Sequence, residues 1–263
     1  MRIALAQISS GHHIEKNLSR ISAMARTAAD QGAELVVFPE AAMYAFGAPL
    51  AAIAEPIDGP FATSVQVLAA ELGLTIVAGM FTPADDGRVF NTLLVAGPDT
   101  VSHYDKIHLF DAFGFEESRT VAPGDARRTV MVGHAAVSLA TCYDVRFPNL
   151  FIENAADGAQ VSVVSASWAS GPGKVEQWEL LVRARAIDST TYLIACDQAL
   201  PAGVAPGSTP TGVGHSMVVS PYGEVLGHLG DSEDLLVVDI DLTEVATARA
   251  TVPVLRNRRD LRA

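Results

Sequence analysis

Three side chains in this sequence could together carry out acyl transfer, and each follows an apolar run of the kind that forms a buried strand. Glu40 ends "VVFPE", Lys106 lies within "HYDKIHLF", and Cys142 ends "SLATC". A free cysteine has a pKa of about 8.5, so a nucleophilic thiol needs a base, and the oxyanion formed by its attack needs a donor. A carboxylate, an ammonium and a thiol can fill these roles.

Each of these residues also has an interpretation without catalysis. Glu40 and Lys106, taken singly, are expected to be exposed surface charges. Cys142 is balanced between a buried thiol and a nucleophile, because free cysteines are commonly buried. The strand ends of α/β folds converge on one crevice, where separate side chains can meet. The three residues by themselves leave both interpretations open.

The composition excludes several classes of protein. The 263 residues are 49% hydrophobic with a formal net charge of −12, whereas a nucleic-acid partner would require a basic face. No stretch approaches the about 18 apolar residues that span a bilayer, and the start "MRIALAQIS" resembles a first strand more than a signal peptide. We expect a cytoplasmic protein without a nucleic-acid or membrane partner, whose two cysteines, Cys142 and Cys196, are reduced.

The hydrophobic pattern alternates strands and helices along the chain. After the first strand, five apolar residues recur at helical spacing, namely Ile14, Leu18, Ile21, Ala25 and Ala28. The segment 106–125 has no period and is predicted to be a long loop, and the chain is predicted to end in a hairpin and a strand. No linker divides the sequence, so we predict one α/β domain over residues 1–263, with two mixed sheets flanked by helices.

Three stretches resemble the signature blocks of the nitrilase, or carbon–nitrogen hydrolase, superfamily, in that family's chain order. They are "FPEAAMYAFG", "YDKIHLFDAFGFEES" and "LATCYDVRFP", and the similarity continues to "VVDIDL" near the C-terminus. The resemblance implies a four-layer αββα sandwich of two mixed β-sheets flanked by helices, assembled as a homodimer or a higher homo-oligomer. It assigns the family's catalytic triad to Glu40, Lys106 and Cys142, and a further glutamate to Glu117 in preference to Glu116.

The resemblance also implies a reaction. Cys142 would attack an amide carbonyl and form a thioester while Glu40 takes the thiol proton. Lys106 and the backbone N–H of Tyr143 would hold the oxyanion, ammonia would leave, and water activated by Glu40 would release the acid. The dipeptide "YD" after the nucleophile is similar to the amidases that act on omega-amides of keto acids and on deaminated glutathione. An N-carbamoyl amino acid hydrolase, a nitrilase and a catalytically silent scaffold of the same fold are the alternatives.

The resemblance also suggests which residues line the substrate pocket. Substrates of that amidase branch bear a carboxylate, so a cation should line the pocket. Arg146 is a candidate because it is close to Cys142 in the sequence, with a structural ion pair as the alternative. Trp168 could form a wall of the pocket or belong to the core, and Tyr143 is the remaining substrate-binding candidate. The loop from Pro201 to Gly214 is predicted to border the site and could act as a lid.

No metal or other cofactor is predicted. The seven histidines show no short metal-binding motif, and the sequence contains neither "HExxH" nor "CxxC". The partner expected from the sequence is a small amide.

Overall fold

Strands and helices alternate through residues 1–201 and 210–259, the ranges that the structure, a computed structural model, describes. In chain order, the strands are β1 (Arg2–Gln7), β2 (Leu35–Val37), β3 (Thr75–Pro83), β4 (Val89–Ala96), β5 (Val101–Asp105), β6 (Asp111–Ala112), β7 (Phe115–Glu116), β8 (Val121–Ala122), β9 (Thr129–Val132), β10 (Ala135–Thr141), β11 (Val161–Ala166), β12 (Tyr192–Asp197), β13 (Met217–Val219), β14 (Val225–His228) and β15 (Asp234–Asp239). The helices are α1 (Ile14–Asp30), α2 (Pro60–Leu72), α3 (Pro148–Ala156), α4 (Lys174–Ser189), α5 (Thr243–Thr251) and α6 (Val254–Asn257).

Most of the strands belong to two mixed sheets. The first has the order β15-β1-β2-β3-β4-β5, with β8 beside β4, and the second has the order β14-β13-β12-β11-β10-β9. The strands β1, β2 and β3 pair in parallel, as do β10, β11 and β12, while β15–β1, β3–β4 and β12–β13 are antiparallel. One helix connects each parallel pair, since parallel strands need a crossover.

The two sheets pack face to face, and helices cover their outer faces. Apolar side chains of the two inner faces form one buried cluster that includes Leu5, Val37, Leu139, Val163 and Ile194. Helices α1 and α2 pack on the outside of the first sheet, and α3 and α4 on the outside of the second. This arrangement confirms the predicted αββα sandwich. It also explains the continuous apolar runs, because strands covered on both faces have no polar side.

Helix α1 confirms the prediction made from its spacing. It spans Ile14–Asp30 and buries Ile21, Ala25 and Ala28, while Leu18 is half-buried against the same core. None of the helices in the described ranges combines the length and the apolar character that crossing a bilayer requires.

Two segments differ from the sequence-based expectation. The predicted loop 106–125 contains the hairpin β6–β7, a 3₁₀ turn and β8. The chain continues after β15 into α5 and α6, which the hydrophobic pattern does not predict. Threonine is a weak helix former, and α5 has the threonine-rich sequence "TEVATARAT". Tertiary contacts hold α5 in place, because Val245 joins the buried cluster between the sheets and Arg249 Nη2 donates to the carbonyl of Ala159 (2.6 Å).

Candidate active site

Glu40 lies buried in a tight turn that follows β2. The turn rests on Gly79 of β3, where an added Cβ would lie 2.4 Å from the backbone nitrogen of Ala41. Gly79 N donates to the carbonyl of Pro39 (3.1 Å), and Ala41 adopts a left-handed φ of 58°. The missing side chain at Gly79 therefore permits the close approach of the two backbones and fixes the turn that carries Glu40.

Lys106 directly follows β5 and is the centre of a buried ion cluster. Its Nζ lies 3.0 Å from Glu40 Oε1 and 2.9 Å from Glu117 Oε2. Asn91 of β4 links the same two carboxylates, because its Nδ2 donates to Glu40 Oε1 (2.7 Å) and to Glu117 Oε1 (3.1 Å). The backbone N–H of Phe110 also donates to Glu117 Oε2 (2.7 Å). Each buried charge thus has a charged partner and hydrogen bonds, without which burial would be very costly.

Cys142 directly follows β10 and begins a short 3₁₀ turn, Cys142–Arg146. Its backbone has a left-handed φ of 47°, a conformation that residues other than glycine rarely adopt. The buried carboxylate of Asp144 holds this turn, since it accepts hydrogen bonds from the backbone N–H of Thr141 (2.8 Å) and from Tyr104 Oη (2.7 Å). The Asp144 carboxylate thus joins the backbone before and after Cys142 and holds its strained conformation.

Ser167, which follows β11, contacts both the thiol and the carboxylate. Its backbone N–H donates to Glu40 Oε2 (2.8 Å), and its carbonyl lies 3.9 Å from the Cys142 Sγ. Because one residue contacts both groups, β11 aligns the first sheet's carboxylate with the second sheet's thiol. The two sheets therefore meet at the reactive groups.

Burial and neighbouring charges shift three pKa values in this cluster. Burial raises the pKa of Glu40 above its ordinary value, with Lys106 opposing this shift and Glu117 adding to it. Burial alone would lower the pKa of Lys106, but the charges of Glu117 and Glu40 outweigh it and raise the Lys106 pKa well above its ordinary value. Burial, followed by the charge of Glu40, raises the pKa of Cys142 well above its usual range. The resting site therefore holds a neutral thiol beside a charged lysine.

The Cys142 thiol, Glu40, Lys106 and Glu117 all line one cavity. The cavity has about 350 Å³ of space between its atoms, including the part that is open to solvent. Its aromatic walls are formed by Phe46, Phe110, Phe115, Tyr143 and Trp168. Apolar walls strengthen the electrostatic interactions of the reacting groups because they exclude water.

The structure brings the four predicted catalytic residues together and separates them from Glu116. The Glu116 side chain is 61% exposed and pairs with Arg119 at the surface, whereas Glu117 is buried against Lys106. The alternative interpretation of Glu40 and Lys106 as exposed surface charges is wrong, because both side chains are buried.

Of the predicted substrate-binding residues, Tyr143 and Trp168 line the cavity and Arg146 does not. The Arg146 guanidinium lies over the Trp168 ring, 5.0 Å from its centroid, and donates to Gln177 Oε1 (2.9 Å). The expectation that Arg146 lines the pocket rests on its closeness to Cys142 in the sequence, but position in a 3₁₀ turn determines which way a side chain points.

Several lining or supporting residues were missed. Asn91 lies in the middle of a strand, where a polar residue gives no signal of its own, and the aromatic residues Phe46, Phe110 and Phe115 lie in segments without a hydrophobic period. Of the predicted lid, residues 202–209 lie outside the described ranges, while Pro210 lines the cavity.

A family model described as carbon–nitrogen hydrolase matches residues 2–250 of this chain. The chain belongs to the carbon–nitrogen hydrolase family. The match covers both sheets and all four of the buried residues that converge on the cavity. It confirms the resemblance to the nitrilase superfamily and the prediction that the protein is an enzyme acting on carbon–nitrogen bonds.

Named relatives of this carbon–nitrogen hydrolase are hydrolases and amidases. It is 54% identical to the hydrolase Rv0480c of Mycobacterium tuberculosis, over 99% of this chain and 96% of that protein. It is 36% identical to the omega-amidase NIT2 of Homo sapiens, over 98% of this chain and 95% of that protein. A solved mutant of the amidase from Nesterenkonia sp. AN1 carries the acetamide moiety of fluoroacetamide covalently at its active-site cysteine. That structure aligns with a TM-score of 0.83 at 28% identity, over 98% of this chain and 94% of that chain.

Proposed function

We propose that this protein hydrolyses small linear amides through a thioester on Cys142, with release of ammonia. The observation that carries the proposal is the buried cluster in which Lys106 joins Glu40 and Glu117 at the wall of the cavity that holds the thiol. The amidase activity named for two relatives supports an amide as the bond that is cleaved.

In the first half of the reaction, the Cys142 sulfur attacks the amide carbonyl carbon while its proton passes to Glu40. The raised pKa of Cys142 means that the resting thiol is not a thiolate, so the proton must leave as the C–S bond forms. The raised pKa of Glu40 makes it a stronger base than an ordinary carboxylate. When the C–N bond breaks, the leaving nitrogen takes that proton from Glu40 and departs as ammonia.

The oxyanion of the tetrahedral intermediate needs donors in the cavity. Lys106 has three N–H donors, and in the resting site its Nζ contacts Glu40 Oε1 and both oxygens of Glu117, so an N–H that turns from Glu117 to the substrate would donate to the oxyanion. The backbone N–H of Tyr143 is a second candidate, because the first N–H groups of a helical turn have no partner inside the turn. Each such donor contributes about 10²–10³-fold in kcat.

In the second half, water enters where ammonia left. Glu40 takes a proton from the water as its oxygen attacks the thioester carbonyl, and the C–S bond breaks with return of a proton to the Cys142 sulfur. The products are a carboxylic acid and the free enzyme. Glu117 keeps Lys106 in place through both halves, since it contributes two of the contacts to Nζ.

The test of this function is the Cys142→Ala variant, with Cys196→Ala as the matched control. Cys196 is a buried thiol of β12 outside the cavity, so its loss should change stability more than turnover. Ammonia release from a panel of small amides should fall to background in Cys142→Ala, because the nucleophile is gone, while the circular dichroism spectrum stays that of the wild type.

Other outcomes of the same panel would contradict the proposal and favour a different function. Faster turnover of nitriles or of N-carbamoyl amino acids than of amides would favour a nitrilase or a carbamoylase. A Cys142 that iodoacetamide does not label, together with no turnover of any compound, would favour a silent scaffold. Full amidase activity in the Cys142→Ala variant would contradict the thioester mechanism.

We further propose that the preferred amide bears a carboxylate, held by Lys174 at the start of α4. Burial lowers the pKa of Lys174, and the positive charge of Arg146 adds to this effect, while the nearby Cys142 opposes it. Lys174 and Arg146 both adjoin Trp168 of the cavity wall, because Trp168 Nε1 donates to the carbonyl of Lys174 (2.9 Å) and the Arg146 guanidinium lies over the Trp168 ring. The Lys174 Nζ lies over the ring of Phe113, 4.2 Å from the centroid. An anionic group between the two cations would relieve their repulsion.

This preference is tested with two amides of equal length, the monoamide of a four-carbon dicarboxylic acid and butanamide. The Lys174→Met variant should raise KM for the acidic amide and leave kcat/KM for butanamide unchanged, because only the first carries a charge. Lys16→Met, a change at an exposed lysine of α1, is the control and should alter neither. Equal losses for the two amides in Lys174→Met would contradict a carboxylate contact.

A further inference from the structure

Glu179, His215 and His228 form a side-chain cluster outside the cavity. They come from α4, from the segment before β13 and from the end of β14, which is why no short sequence motif joins them. The distances are 3.2 Å from His215 Nδ1 to Glu179 Oε1, 3.1 Å from His228 Nε2 to the same oxygen, and 3.3 Å between the two ring nitrogens. Three potential ligand atoms thus form a nearly equilateral triangle.

Hydrogen bonds alone cannot satisfy this triangle. A neutral ring nitrogen either carries a proton and donates or has a lone pair and accepts, but it cannot do both. If His215 Nδ1 and His228 Nε2 both donate to Glu179, the contact between the two nitrogens joins two donors. If either nitrogen is unprotonated, its contact with the carboxylate oxygen joins two acceptors. Every arrangement of neutral imidazoles around the carboxylate leaves at least one of the three contacts without a hydrogen bond.

We propose that Glu179, His215 and His228 bind a divalent metal ion of the zinc class. One cation satisfies all three lone pairs at once. A tetrahedral zinc site with metal–ligand distances of about 2.0–2.1 Å has about 3.3 Å between neighbouring ligand atoms. The three measured distances, 3.1 Å, 3.2 Å and 3.3 Å, match one face of that tetrahedron. Two imidazoles and one carboxylate are also a ligand set that zinc uses.

The backbone around the cluster is fixed before any metal binds. His215 has a left-handed φ of 55°, and it is held because its N–H donates to the carbonyl of Gly230 (2.8 Å) while its carbonyl accepts from Trp178 Nε1 (3.0 Å). Trp178 immediately precedes Glu179 on α4, so the indole contact also sets the distance between that helix and His215. His228 lies opposite Met217 in the pairing of β13 with β14.

The open side of the cluster faces solvent. The side chains of Glu179 and His228 are each 37% exposed and that of His215 is 25% exposed, so the ion can enter and water can supply the fourth ligand. A metal here would connect α4 with the β13–β14 hairpin. It would therefore stabilise the outer layer of the second sheet without contacting the residues of the catalytic cavity.

The test is titration of the untagged, metal-free protein with Zn²⁺ by calorimetry, and with Co²⁺ by visible absorption. Both titrations use the Cys142→Ala variant, so that the reactive thiol cannot act as a ligand. We expect one equivalent of Zn²⁺ per chain, the intense d–d bands of tetrahedral Co²⁺, and a melting temperature that rises with zinc concentration. Adding Glu179→Gln or His228→Gln should weaken zinc binding by more than the about 10–100-fold that loss of an outer-shell partner costs.

His134→Gln is the control, because His134 is an exposed histidine at another place in the fold and its loss should leave zinc binding unchanged. The metal-free melting temperatures of all variants show whether each is folded. The proposal fails if the Cys142→Ala protein binds no zinc. It also fails if folded Glu179→Gln and His228→Gln variants bind zinc as tightly as the His134→Gln control.

Discussion

Glu40 and Glu117 share one ammonium group, that of Lys106, and Asn91 donates to the same two carboxylates. Burial raises the pKa of Glu40, the charge of Lys106 opposes this shift, and the charge of Glu117 adds to it. Burial, followed by the charge of Glu40, raises the pKa of the Cys142 thiol and keeps it protonated at rest. At the scale of single residues, the site therefore holds a carboxylate of raised pKa beside a protonated thiol, and in the proposed mechanism the thiol loses its proton to Glu40 as it attacks the substrate.

The amidase activity should consequently depend on pH through Glu40. The value of kcat/KM should rise with pH as Glu40 loses its proton, with a midpoint above the about 4.3 of an ordinary glutamate. Glu117→Gln removes a negative charge that raises the Glu40 pKa. The acid limb of the pH profile of kcat/KM should therefore move to lower pH in this variant. Glu116→Gln, at the exposed neighbour, should leave the limb in place. A limb that stays unmoved in Glu117→Gln would contradict the assignment of Glu40 as the base.

At the scale of elements, the site depends on strand ends that approach each other closely. The turn that carries Glu40 follows β2 and rests on β3, Lys106 follows β5, and Cys142 follows β10 of the other sheet. Backbone contacts therefore set the positions of the side chains, and Gly79 is the point where two backbones come nearest.

Gly79→Ala should damage catalysis without touching a catalytic group. The new Cβ would lie 2.4 Å from Ala41 N and 2.7 Å from the carbonyl of Pro39, so the turn must move and Glu40 must move with it. A displacement of 1 Å can cost about 10²-fold in rate, and we expect kcat to fall by about that factor. Gly230→Ala, where an added Cβ meets no atom within 4 Å, is the control. Steady-state kinetics of both variants test this, and an unchanged kcat in Gly79→Ala would show that the turn tolerates the shift.

The sequence predicted the features that follow from hydrophobic pattern. Apolar runs marked the strands, and their ends located the carboxylate, the ammonium and the thiol that the fold brings together. It did not predict Asn91, because a polar residue within a strand is equally compatible with a solvent-facing side, and only the packing of both sheets buries it. It placed Arg146 in the wall of the cavity, whereas the guanidinium lies over the Trp168 ring, because sequence distance in an irregular turn does not give direction. It missed α5, whose helix depends on tertiary contacts more than on propensity.

At the scale of the whole molecule, we propose that two copies associate through the exposed face of α4. Leu180 and Ile187 are two turns apart on this helix, with 68% and 49% of each residue exposed, and Val252 after α5 is 51% exposed. Leu180 and Ile187 lie on one side of the helix because their spacing is close to twice 3.6 residues. An apolar face of this kind on a chain with a net charge of −12 favours a specific contact, since general charge repulsion keeps other surfaces apart.

Sedimentation velocity tests this association. The wild type should sediment as a dimer, and Leu180→Glu should sediment as a monomer, because the variant would bury two carboxylates in the interface. Val67→Glu changes an equally exposed apolar residue, 62% exposed on α2 at the opposite outer layer, and should remain a dimer. A monomeric wild type, or a dimeric Leu180→Glu, would rule out this face.

The burial of Lys106 between two carboxylates has a consequence for the fate of the acyl group. A free amine beside a thioester would compete with water for the acyl group, and each such event would leave a dead, self-acylated enzyme. Glu117 and Glu40 raise the Lys106 pKa well above its ordinary value, so the nitrogen remains an ammonium without a lone pair. In the proposed mechanism, the carboxylates that hold the lysine as an oxyanion donor would thus also protect the enzyme from inactivating itself.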